Sequence, residues 1–436
     1  MKQSVWEKIS WTWQPASDRE AGDSIVRNFL LHWFPAKIST ASLSWGYSFW
    51  LGTISAVLFL ILTVTGVILM FLYVPSVERA YLSVKDIEFV VSFGWFIRGL
   101  HRVAAHLMVA FVFLHMMRVF LTAAYRNTVN SQQNRPLNWV VGVVLLLATL
   151  LLSFTGYLLP WDQLAFWAIT VGTNIASAAP LVGEPLRFAL LGGSTIDQSA
   201  LLRFYVLHCF FLPVVVLLLF SYHMWRVRKD GGLACADHLA LSQKALNEPP
   251  VRSKTYSLLG IASGTSVHVQ AALVDEDQHT VASSPNLSRR LAVVLLATFL
   301  VASVLTLVFR APLEEPANPS ITPNPAKAPW YFLWLQELVT DTTFSIGGFT
   351  INGALIGGIV IPALLVAWLV AVPWLDKTAI SALGVWWATE RRKHNFLFLA
   401  IVMAVAILTI VGTYLRGPYW NFYWPWQSWP DLPRRF

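Results

Sequence analysis

The sequence is short of charge. Of its 436 residues only 12% are Asp, Glu, Lys or Arg, about half the share a soluble domain carries, which excludes an ordinary water-soluble globular chain. The formal net charge of +8 is spread over the segments between apolar runs, so it offers no nucleic-acid-binding patch. Cysteine is scarce. Cys209 and Cys235 fall near the two ends of one apolar run, cannot sensibly pair, and form no C-x-x-C-H sequence. A c-type haem attachment and an iron–sulfur cluster of the chain's own are therefore excluded. No apolar run has an acid near its centre, unlike a transporter with midplane carboxylates and broken helices. The first forty residues also lack the apolar core of a cleavable signal.

Hydrophobic residues make up 56% of the chain, and the mean hydropathy is +0.57. Seven runs, at 46–73, 95–121, 137–159, 204–225, 291–309, 349–374 and 395–415, are long enough to cross a hydrocarbon core that needs about 20 apolar residues. Residues 161–182 make a poor eighth, because Asp162, Asn174 and Pro180 interrupt them; they read as a surface-lying loop with short helices. Seven spans place the two termini on opposite sides. Segments on the amino-terminal side hold 20 of the 31 Lys and Arg, so the amino terminus is expected inside and the carboxyl terminus outside. Residues 25–37 suit a helix lying in the inner interface, and the Trp- and Tyr-dense tail at 419–429 suits an outer aromatic belt.

The chain divides accordingly. Residues 1–45 form an inner interfacial amphipathic segment, 46–230 a four-helix domain, 231–288 an inner polar linker, and 289–436 a three-helix domain with the aromatic tail. The expected fold is an all-α, multi-span membrane protein.

Five of the ten histidines lie inside predicted spans, where an ionisable side chain is expensive and points to function, and four of them match in spacing. His101 and His115 are 14 residues apart in the second span, and His208 and His223 are 15 apart in the fourth. Fourteen helical steps return to within about 40° of the starting direction and 15 to within about 60°, over a rise of roughly 21 Å. Each pair thus shares a helix face, and the two helices run in the same direction. His101 is expected level with His208 near the outer surface, and His115 with His223 towards the inner one. Two imidazoles facing each other at one depth can supply both axial ligands of a haem iron, which favours electron transfer over oxygen binding. His106 points about 140° away from His101 on the same helix and is assigned no iron; it reads as a helix-contact residue or a neighbour of an outer quinone site.

Glycines repeat the interval. Gly52 and Gly66 are 14 apart in the first span, as are Gly142 and Gly156 in the third, and backbones without side chains would make room for a flat porphyrin. Arg98 and Arg102 flank His101, while Arg118 and Arg126 follow His115. They are placed either to neutralise haem propionates or simply to snorkel at helix ends.

With these residues in place, the chain resembles the cytochrome b/b6 family over nearly its whole length. The matching text is Arg98-Gly-Leu-His-Arg102, Thr155-Gly-Tyr-Leu-Leu-Pro-Trp-Asp-Gln163 and Arg203-Phe-Tyr-Val-Leu-His208. The 15-residue histidine interval resembles the b6 type, and the second half is similar to subunit IV of b6f complexes. The resemblance implies a bacterial b6–subunit IV fusion in the cytoplasmic membrane: a four-helix haem-binding bundle followed by three further transmembrane helices. It implies two non-covalent b haems, the outer on His101 and His208 and the inner on His115 and His223. Quinol would be oxidised at an outer site and quinone reduced at an inner one, coupled to proton translocation. The implied partners are a Rieske iron–sulfur protein, a c-type cytochrome, membrane lipid and a second copy of the chain, and none is a nucleic acid.

Two departures from the family bear on this. Trp50 stands where b6 proteins carry the cysteine that holds an extra haem, so no covalent haem is expected. Pro329 stands where the family's Pro-Glu-Trp-Tyr motif has its Glu, leaving Ala328-Pro329-Trp330-Tyr331. Glu337 is the favoured substitute proton acceptor, with Asp341 and Glu314–Glu315 as alternatives. Trp330, Tyr331 and Asp162, with Tyr157 and Trp161, are the other outer-site candidates; Arg228, Lys229, Asp376 and Lys377 are the inner-site ones. The competing reading is a haem b membrane anchor passing quinol electrons to a peripheral dehydrogenase or reductase. It would share the histidine pairs but leaves the Pro-Trp-Asp-Gln and Pro-Trp-Tyr texts unexplained.

Overall fold

The computed structural model describes residues 37–127, 133–230 and 280–430, together with Ser17. Nearly all of the amphipathic segment read at 25–37, Cys235 and residues 231–279 of the polar linker lie outside the described residues. In chain order the main elements are β1 (Lys37–Ser39), α1 (Leu51–Leu72), α2 (Ala80–Phe89), α3 (Gly94–Leu121), α4 (Arg135–Leu158), α5 (Gln163–Ser177) and α6 (Gly183–Leu191). Then follow α7 (Gln198–Lys229), β2 (Thr280–Ala282), α8 (Ser283–Val308), α9 (Trp330–Asp341), β3 (Phe344–Ile346), β4 (Phe349–Ile351), α10 (Gly353–Leu375) and α11 (Thr389–Leu415).

Seven of these, α1, α3, α4, α7, α8, α10 and α11, are long and apolar enough to cross a membrane. At 1.5 Å per residue the shortest, α1, rises about 33 Å, enough for a core of about 30 Å. Helices α5 and α6, at 15 and 9 residues, are too short to cross, which agrees with the expectation that 161–182 is no eighth span. The chain is a multi-pass membrane protein. Its upper end is taken as the one where α1 finishes and α3 begins.

Several spans begin away from where hydropathy alone puts them. Helix α7 starts at Gln198 rather than 204, because the Asp197 carboxylate accepts from Ser199 N at 2.8 Å and opens a polar first turn. Helix α8 starts at Ser283 rather than 291, and its first turns are again polar. At 349 the apolar text is β4, paired antiparallel with β3 through Gly347 and Gly348 at positive φ, as a tight hairpin requires.

Helices α1, α3, α4 and α7 form a bundle, with α1 packed on α3 and α7 on α4. Helix α8 covers the α1–α3 seam, where Ala104 and Ala302 are fully buried and a Cβ on Gly99 would come 2.7 Å from Thr306 Cγ2. Small residues let these backbones approach where no hydrophobic effect drives helices together in lipid. Helices α10 and α11 lie against the lower half, where Phe120 stacks on Phe398 with ring centres 4.1 Å apart and Trp139 Nε1 donates to Leu369 O at 2.6 Å. Helix α9 lies at the upper end against α11.

Candidate haem and quinone sites

His101 on α3 and His208 on α7 face each other with ring centres 6.2 Å apart and planes 77° apart. One level down, His115 and His223 repeat this at 6.4 Å and 85°. The equal alignment at both levels depends on a π turn at Leu207–Phe211 inside α7. A π turn accommodates one extra residue in a helix, so the 15-residue interval on α7 matches the 14-residue interval on α3.

The residues fit haem. A metal–imidazole nitrogen bond is about 2 Å, and the nitrogen lies about 1 Å from its ring centre, so two imidazoles on one iron have centres about 6 Å apart. In the upper pair the Nδ1 atoms face inward to protein. That of His101 meets Thr65 Oγ1 at 2.8 Å, and that of His208 meets Leu152 O at 3.1 Å and Thr155 Oγ1 at 3.3 Å. Holding Nδ1 orients the ring and leaves Nε2 for a metal.

The four glycines lie one behind each ring. A Cβ on Gly66 would be 3.2 Å from His101 Cε1, one on Gly52 would be 3.1 Å from His115 Cε1, one on Gly156 would be 2.9 Å from His208 Nδ1, and one on Gly142 would be 3.8 Å from His223 Cε1. Their side-chain-free surface thus seats the imidazoles themselves, a closer relation than the porphyrin clearance inferred from spacing.

The arginines divide. Arg98 is committed to protein, donating to Glu88 Oε2 at 2.7 Å, Ala311 O at 3.1 Å and Pro312 O at 2.6 Å. Arg126 donates to Thr378 O and lies 3.6 Å from Asp376. Arg118 is buried with its guanidinium 4.9 Å above the Tyr47 ring. Arg102 lines the cavity beside the upper histidine pair together with Tyr157, Tyr331 and Asp162.

That cavity runs from His101, His208 and Gly156 to Tyr331, Asp162 and Glu314 at the upper surface. Trp330 Nε1 donates to His106 Nδ1 at 3.2 Å, and the Tyr331 ring lies 5.8 Å from that of His106, so His106 belongs to this wall. Burial raises the Tyr331 hydroxyl to about 12, which keeps it a neutral hydrogen-bonding group. The Asp162 carboxylate caps α5, accepting from Ala165 N at 2.9 Å, and also accepts from Glu314 N at 3.3 Å.

Other candidates lie elsewhere. Glu337 is fully buried and clasped by Arg416 at 2.5 and 2.9 Å, away from the residues that line the cavity. Asp376 is buried at the lower end, accepting from Tyr125 OH at 2.7 Å with Arg391 at 3.3 Å. Burial works to raise Asp376, but hydrogen bonds from Thr378 and Tyr125 and the Arg391 charge outweigh it, so its carboxyl lies below the ordinary range. Arg228 and Lys229 are exposed at the end of α7, with Lys229 Nζ 4.9 Å above the Trp225 ring. Trp50 is buried with Leu43, Leu287 and Val294 and packs on Trp45 at 5.6 Å.

Sequence reasoning named Glu314 only among several alternative proton acceptors, with nothing to choose it, and gave no role to Arg416 and Tyr125. Arg416 meets its partner 79 positions away and Tyr125 meets Asp376 across 251, and no local spacing signals such contacts.

A family model described as cytochrome b/b6/petB matches residues 36–231, and one described as cytochrome b(C-terminal)/b6/petD matches 316–424. A solved structure described as "Hyperthermophilic respiratory Complex III" is 24% identical, covering 87% of this chain and 86% of that one, with a TM-score of 0.66; the two share a fold. The two family models together span roughly seven-tenths of the sequence, N-terminal and C-terminal parts in the family's order, and the chain belongs to the cytochrome b/b6 family, electron-carrying membrane proteins that bind b-type haem.

Proposed function

We propose that the chain is the di-haem cytochrome b subunit of a bacterial bc/b6f-type quinol:cytochrome c oxidoreductase, fused from b6-like and subunit IV-like parts. The carrying observation is the pair of facing imidazoles at each of two depths, each ring backed by a glycine. His101 and His208 would hold the upper, outer haem, and His115 and His223 the lower, inner one, both without covalent attachment. When bound, the haems supply two one-electron relays in series, dividing a crossing that costs about 2.3 kcal/mol per charge per 100 mV of membrane potential.

The chain's own residues do the rest. Thr65, Leu152 and Thr155 fix the upper imidazoles by their Nδ1 atoms. Arg102 supplies positive charge for a haem propionate at the upper end and Arg118 at the lower. Trp330, Tyr331 and His106 form the wall against which a quinol ring stacks and donates its hydroxyl hydrogen bond, and Asp162 holds the turn that closes the cavity. Arg228 and Lys229 present cations at the lower end, suited to a reduced quinone that takes up protons there. The electron acceptors on the outer side are a Rieske iron–sulfur protein and a c-type cytochrome, which this chain cannot replace. The assembly is a homodimer in the bacterial cytoplasmic membrane with the amino terminus inside.

The test is quinol:cytochrome c reductase activity of the complex purified through this chain. Quinol-dependent reduction of cytochrome c, blocked by quinol-site inhibitors, supports the proposal. Two b haems with no such activity would favour an anchor for a peripheral enzyme.

A further inference from the structure

The cavity at the upper end has a wall of aromatic and hydroxyl groups, and Pro329, which stands where the resemblance puts the family's glutamate, accepts no proton. Helix α9 opens on that proline. Quinol oxidation releases two protons and two electrons, so a base is needed at the hydroxyl being oxidised. Glu337 is locked in its ion pair with Arg416, and both oxygens of Asp162 already accept from backbone amides.

Glu314 remains. It lines the cavity, its side chain reaches the upper solvent surface, and its carboxylate makes no hydrogen bond or ion pair among the described residues. Its place is set by the backbone on both sides. Before it, Arg98 grips the carbonyls of Ala311 and Pro312. At and after it, Glu314 N bonds Asp162, Gln163 N donates to Glu315 O at 2.9 Å, and Ala317 N donates to Trp161 O at 3.1 Å. The segment is thereby stitched along the 161–163 turn across the cavity mouth. A free carboxylate held between an apolar pocket and water has the position of a proton carrier: it can take a proton on the cavity side and release it outside.

We infer that Glu314 is the catalytic base of the quinol site, taking one of the two quinol protons and passing it to the outer aqueous phase. The inference rests on the proposed quinol oxidation. In the balanced step one quinol gives one quinone, two electrons and two protons. The electrons would leave singly, one to the partner iron–sulfur protein and one to the haem that His101 and His208 would hold. One proton goes to the Glu314 carboxylate, which becomes a carboxylic acid and then ionises to water, and the other is released directly to water at the cavity mouth.

The test compares Glu314→Gln, Glu314→Asp and Glu315→Gln in the intact complex. Glu314→Gln is expected to lower kcat for quinol oxidation by about a hundredfold with haem content and redox potentials unchanged. Glu314→Asp should recover part of the rate, and Glu315→Gln should match wild type. Redox-induced infrared difference spectra should show the C=O stretch of a protonated carboxyl in wild type, and its loss in Glu314→Gln. Wild-type rate and an unchanged carboxyl band in Glu314→Gln would overturn the assignment while leaving the quinol reaction standing. A wild-type complex that fails to oxidise quinol would overturn both.

Discussion

His208 faces His101 across the bundle with ring centres 6.2 Å apart, although His208 lies one residue further from His223 than His101 lies from His115. The π turn at Leu207–Phe211 takes up that residue. Deleting Cys209 should therefore convert α7 to a regular helix with a 14-residue interval and leave both haems in place. Deleting Ala110 from the regular helix α3 should instead rotate His101 about 100° from His115 and cost one haem. Absorbance spectra of the two purified variants distinguish the outcomes, and loss of a haem in the Cys209 deletion would contradict the role given to the π turn.

The glycines predict a graded response. Gly156→Ala would bring a methyl to 2.9 Å from His208 Nδ1, whereas Gly142→Ala meets His223 at an ordinary 3.8 Å. The first should displace the imidazole at a cost of about 1–3 kcal/mol, seen as loss or a shifted potential of one haem in a redox titration. The second should titrate like wild type.

Arg416 and Glu337 join the last span to α9. Arg416→Leu leaves a fully buried carboxylate without its main partner and should lower stability by about 3–5 kcal/mol, read as a fall in thermal midpoint in detergent. Adding Glu337→Leu removes the stranded charge and should restore most of the loss. Asp341 is a weak reserve partner: it lies 3.3 Å from Arg416, and burial and the Glu337 charge hold its carboxyl above the ordinary range.

Asp376 joins the lower ends of α3, α10 and α11 through Tyr125, Arg126 and Arg391. Its folded pKa lies below the unfolded value of about 3.9, so its stabilisation is complete above that pH and is lost as the pH falls through the folded value. Asp376→Asn should lower the thermal midpoint at neutral pH, and the gap to wild type should close in acid. A gap that persists undiminished in acid would show that shape, not charge, holds this corner.

The spans and the histidine levels were legible because both rest on periodicity within one helix. Apolar length marks α1, α3 and α4 to within a few residues, and 14 steps of 100° place His101 and His115 on one face. Helix starts were less legible where polar turns extend the helix, as at Gln198 and Ser283, or where a hairpin precedes it, as at 349. The π turn left no trace in the sequence beyond the odd 15-residue interval, since any apolar text can adopt it. Long-range polar choices were hidden for another reason. Whether Glu337 or Glu314 faces the cavity depends on Arg416 and on the stitched turn at 161–163, contacts made by folding and carried by no local pattern.

The central claim is two b haems held by four named histidines, and the most direct test is haem quantification with redox titration of wild type and His115→Ala. Wild type is expected to hold two non-covalent b haems per chain with two potentials, and His115→Ala one haem with the upper potential intact. A single haem in wild type, or two retained in His115→Ala, would contradict that claim.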